Sequence, residues 1–88
     1  MNLFEEIYAS MLGVSLEPVK GVADAFAPGE PCAKLEQEIG NAYHKILEKL
    51  GTSRDSDLER IVENQADITV ILCQRMFRYG QLYGRINT

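Results

Sequence analysis

Three groups of side chains in this sequence have the chemistry for catalysis or ligand binding. They are one histidine with two thiols, a C-terminal set of arginines, and scattered carboxylates. His44 is the only histidine, and Cys32 and Cys73 are the only cysteines. A Cys–His nucleophile needs its thiol beside the imidazole. Cys32 lies about three helical turns from His44 on the same segment, and both thiols sit near apolar residues. A metal centre needs several ligands at fixed steps, such as a second His or a Glu-x-x-His pair. His44 has neither, and it projects from the polar side of its segment. No metal, cofactor or catalytic role follows. Two cysteines this far apart make no disulfide framework. Inert reduced thiols are the reading, with an adventitious Cys32–Cys73 bridge as the alternative.

Glu5, Glu6, Glu36 and Glu38 are carboxylates without a cleft to organise them for acid–base work. No Gly-rich phosphate loop, nucleophile elbow or Walker pattern appears, so no enzyme is expected. Arg75 is the unusual cation, because it projects between Ile68, Ile71, Tyr79 and Leu82. A guanidinium buried there must be paired, and Glu5, Glu6, Glu30 and Glu36 are the candidate partners. An anion site built with Arg78 and Arg85 is the alternative. The charge distribution limits it: residues 1–67 carry all 13 acids and 6 of the 9 bases, whereas residues 68–88 carry three Arg and no acid. A net charge of −4 and three arginines are a poor footprint for nucleic acid, and no nucleic-acid partner is expected.

The elements that position these groups are helical. Leu58, Ile61, Gln65, Ile68, Leu72, Met76, Tyr79, Tyr83 and Ile86 recur at steps of three and four, within an arc of about 80°. That spacing predicts one helix over about 56–86, about 45 Å long. Asp55, Ser56 and Asp57 are N-cap types, and Glu59 completes a capping box with Ser56. Acids near the start and arginines near the end suit the helix dipole. Pro31 and Gly51 bracket a second helix, about 31–50, with Leu35, Ile39, Ala42, Tyr43, Ile46 and Leu50 on its apolar side. Asn2 and Glu5 start a short first helix, about 2–12, with Leu3, Phe4, Ile7, Tyr8 and Met11 on one face. Residues 13–29 are punctuated by Gly and Pro yet carry Val14, Leu16, Val19, Val22 and Phe26. An ordered connection is expected, with a helical turn near Val19–Ala25.

The fold class expected is all-α, one domain over 1–88. A long antiparallel hairpin (31–50 with 56–86) carries the N-terminal helix on its overhanging end, because the link Thr52–Asp55 is short. In its register Ile46 faces Ile61, Ile39 faces Ile68 and Leu35 faces Leu72. Tyr43 then faces Gln65, and a hydrogen bond between them would satisfy both polar groups.

A stripe of small residues lies beside the main apolar face of the long helix: Ala66, Thr69, Cys73, Gly80 and Gly84. Two glycines within a helix cost about 1 kcal/mol each relative to Ala, and small residues let a second helix axis approach closely. Val70 and Phe77 project away from the main face, so two sides of one helix are apolar and need two neighbours. An interface through Ala66, Thr69, Val70, Cys73, Phe77, Gly80 and Gly84 is expected, with the first helix or a second copy in the groove. An 88-residue chain buries only about 60–65% of its unfolded surface, and oligomerisation is a common remedy. A homodimer is the reading, with an unidentified protein partner as the other candidate.

Leu3-Phe4-Glu5-Glu6-Ile7-Tyr8, Ile46-Leu47-Glu48-Lys49-Leu50 and the closing Phe77-Arg78-Tyr79-Gly80-Gln81-Leu82-Tyr83-Gly84-Arg85 resemble a family of small uncharacterised helical proteins. These occur in anaerobic Gram-positive gut bacteria, often near mobile elements. The resemblance implies an all-helical fold and carries no activity. No apolar run approaches the ~20 residues of a membrane span, and no basic stretch followed by an apolar core opens the chain. A cytoplasmic location without membrane contact is therefore expected. The functional reading is a non-catalytic interaction or assembly module. The alternative is a small acidic inhibitor or regulator from a mobile element, which would bind a nucleic-acid enzyme through the acidic residues 55–67.

Overall fold

A computed structural model describes residues 2–86, and side chains as far as residue 84. The fold is all-α, with three helices: α1 (Leu3–Met11), α2 (Pro31–Leu50) and α3 (Ser56–Ile86). The chain divides after Gly51 into two compact units. The first holds α1, the connection and α2; the second is built on α3.

Helix α1 starts as its sequence dictates. Asn2 Oδ1 accepts the Glu5 N–H at 2.8 Å, and Glu5 Oε2 accepts the Asn2 N–H at 3.3 Å, closing the capping box. The Phe4 and Tyr8 rings, one turn apart, stack at 5.5 Å. The helix stops one residue before the expected Leu12, in a Schellman motif. The Val14 N–H donates to Ala9 O and the Gly13 N–H to Ser10 O, both at 3.1 Å. Gly13 closes that motif in the left-handed region, at φ +73°, where a side chain is disfavoured.

The connection turns without forming the expected helical turn at Val19–Ala25. Its backbone is committed elsewhere. The Val19 N–H donates at 2.9 Å to Ser10 Oγ, which itself donates to Glu6 O at 2.8 Å. The Ala25 N–H donates to Met11 O at 2.7 Å. Asp24 Oδ1 accepts the Phe26 N–H at 2.8 Å, an Asx turn of the kind that competes with helix. Ser10, only 3% exposed, is the buried polar centre of this arrangement. Beyond the cap of α1, the connection is thus tied to the last turn of α1 by two hydrogen bonds from different stretches of backbone, at Val19 and Ala25.

Pro31 opens α2 and Gly51 ends it at φ +68°, with its N–H on Glu48 O and Leu47 O. Both terminators act where the sequence put them. Helix α3 is capped by Asp55 rather than Ser56: Asp55 Oδ1 accepts the Leu58 N–H at 3.0 Å. Glu59 is thereby released from the expected capping box. It pairs with Arg54 instead, Nε to Oε1 at 2.9 Å and Nη2 to Oε2 at 3.3 Å. The guanidinium fork fits both carboxylate oxygens.

Candidate interaction site

Helical geometry decides which side chains of each helix share a face, and exposure decides which face is available. On α2 the shielded positions are Ala33, Gly40, Tyr43 and Leu47, and Leu47 is the buried hydrophobic residue among those described, at 7%. This line is rotated by about a quarter turn from the stripe of Leu35, Ile39, Ile46 and Leu50, whose members are exposed. Leu47 is the residue that sequence reasoning missed. Counting apolar residues picked out the denser stripe, and Leu47 stands outside it.

On α3, too, the shielded line is offset from the main apolar stripe. Val70, Cys73 and Phe77 are half-buried. The stripe from Ile61 to Tyr83, about 130° away around the helix, is open: Ile61 is 64% exposed, Leu72 60% and Met76 71%; Leu58 at its start is half-buried. Of the small residues expected to form an interface, Ala66, Thr69, Gly80 and Gly84 are exposed. A Cβ at Gly80 or Gly84 would meet no atom within 4 Å, so the close helix approach that glycines permit is not used among the described residues. Thr69 turns its hydroxyl back onto Gln65 O at 3.0 Å.

The residues expected to carry polar structure divide similarly. Tyr43 is half-buried, with its ring edge-on to the His44 imidazole at 6.4 Å. Gln65 is exposed. Arg75 is exposed rather than buried, so water can solvate its guanidinium and the expected buried ion pair is not required. It lines a shallow hollow of about 350 Å³ with Arg78, Tyr79 and Leu82, all on α3. The side chain of Arg85 lies outside the described residues.

Chemical groups are sparse. Cys32 is exposed, Cys73 half-buried, and both are free thiols. No cluster of three or more His, Cys, Asp or Glu suited to a metal ion occurs among the described residues. A second hollow, about 590 Å³, is framed by α1 and the connection, where Ala9, Val14, Leu16 and Val19 lie between Glu6 and Glu17. Glu59 is electrostatically perturbed. The Arg54 hydrogen bond holds its carboxyl below the usual range, a solvent-exposed effect at the start of α3. No helix among the described residues is long and apolar enough to cross a membrane.

What the arrangement can do is present apolar surface. Nine large hydrophobic side chains between Ile61 and Tyr83 are exposed on α3 alone. The sequence matches no family profile, no curated protein and no solved structure.

Proposed function

We propose that this chain is a non-catalytic protein–protein interaction module that assembles with itself through the exposed apolar stripe of α3. The observation that supports this reading is the exposure pattern. One hydrophobic side chain is buried among the described residues, while seventeen large ones are exposed. Scattered exposed apolar residues are ordinary, but nine of the seventeen lie on one 31-residue helix, and Ile61, Ile68, Leu72, Met76, Tyr79 and Tyr83 among them recur at helical spacing along one face. Each such side chain gains on the order of 1.5–3 kcal/mol when fully covered relative to fully exposed, so a partner has a large driving force to collect. The small residues Ala66, Thr69, Gly80 and Gly84 flank that stripe and let a neighbouring helix lie close.

Size-exclusion chromatography with light scattering on the full chain tests the reading. A dimer mass that falls toward the monomer on dilution from about 100 to about 1 μM, the affinity range of a modest interface, is expected. A monomer throughout would overturn it.

A further inference from the structure

We infer that the partner of α3 is α3 of a second copy, antiparallel, in the register that sets Gln65 against the partner's Arg75. This inference rests on the self-assembly reading above. Written as heptads, a seam that shares Ile61, Ile68, Leu72 and Tyr79 with the exposed stripe and takes Arg75 and Leu82 in place of Met76 and Tyr83 runs Leu58, Ile61, Gln65, Ile68, Leu72, Arg75, Tyr79, Leu82, at alternating steps of three and four; Leu58 is half-buried and the others are exposed. Two helices with that repeat pack as a seam. Only Gln65 and Arg75 on it are polar.

Antiparallel pairing about a twofold axis near residue 70 brings those two together. Ile68 meets Leu72, Gln65 meets Arg75, Ile61 meets Tyr79 and Leu58 meets Leu82, each twice by symmetry. The guanidinium N–H groups then donate to the Gln65 carbonyl, so neither polar side chain is left in an apolar layer. Slipping by one heptad in either direction breaks this match. One slip puts Gln65 on Ile68 and Arg75 on Leu58; the other puts Gln65 on Leu82 and Arg75 on Leu72. A parallel pair in register places Arg75 on Arg75.

Charge selects the same orientation. Residues 56–67 carry four acids against one base, whereas residues 68–86 carry three arginines and no acid. Antiparallel helices lay the acidic half on the basic half in both directions, and a parallel pair sets like on like. A twofold interface must be self-complementary in this sense.

Spin-label distances on the full chain separate the outcomes, with Cys32→Ser and Cys73→Ala as background and a nitroxide at Asp57→Cys. At about 1.5 Å per residue, the proposed register puts the two labels about 40 Å apart. One-heptad slips give about 30 or about 50 Å, and a parallel pair about 10 Å. A second label at Gln81→Cys reads about 33 Å in the proposed register and serves if the first site disturbs folding. A dimer with any of the other distances overturns this inference and leaves self-assembly standing; a monomer by light scattering overturns both. Independently, Gln65→Glu sets a carboxylate against Arg75 twice and tightens the dimer about five-fold. Weakening on that substitution is the parallel outcome, with Glu on Glu, and counts against the inference.

Discussion

Gly13→Ala tests how the connection is held to α1. Gly13 sits at φ +73°, where an L-residue pays roughly 1–2 kcal/mol. The new Cβ would also fall within 3 Å of the Asp24 carboxylate. That carboxylate is the end of a short side chain and can swing aside, but only by releasing the Phe26 N–H it accepts at 2.8 Å. The lost bond adds about 0.5–1.5 kcal/mol, for a total of about 2–3 kcal/mol. Gly21→Ala is the control: its φ is +86°, but a Cβ there meets nothing within 4 Å, so only the backbone component remains. Urea unfolding followed by far-UV circular dichroism measures both. Adding Asp24→Ala to each variant isolates the contact as a double-mutant cycle. Equal losses for Gly13→Ala and Gly21→Ala, or no coupling to Asp24, would refute the reasoning.

Ser10→Ala removes the acceptor of the Val19 N–H and is expected to cost about 1–3 kcal/mol, read as a lower urea midpoint; an unchanged midpoint contradicts the role given to Ser10. The Glu59 carboxyl, held low by Arg54, contributes stability above the ordinary carboxylate range and loses it as pH falls through its depressed value. An NMR titration should show the depression vanish in Arg54→Ala and shrink at high salt. Exposed Cys32 is expected to be alkylated faster than half-buried Cys73 in the native chain, and mass spectrometry of partially labelled protein gives the order.

The helices were legible because their signals are local. Pro31, Gly51 and the Asn2–Glu5 pair act within a few residues of themselves, and their caps form as read. The Asp55 cap shows the limit of such reading. Three adjacent residues were all competent to cap; Asp55 takes the role while Glu59 pairs with Arg54, and residue type alone does not choose among them. The connection was less legible, because its course depends on Ser10, a helical residue whose side chain bonds nine positions ahead. Periodicity treats a serine within a helix as neutral and cannot foresee that bond. Faces were the hardest to assign. The stripe with more apolar residues on α2 is exposed, while Leu47 outside it is buried. Composition identifies which faces are apolar, but which of them is covered depends on what lies against the helix. In α3 that same ambiguity is what makes the open stripe a candidate surface.

Copies of the chain are proposed to meet at the open stripe of α3. Leu72→Glu places a charge at its middle, at a position 60% exposed in the chain, where the substitution need not disturb the fold. Light scattering of the two proteins side by side, with circular dichroism to verify equal helicity, is the direct test. About twice 9.9 kDa is expected for the parent and the single-chain mass for the variant. Equal masses for the two, at equal helicity, would contradict it.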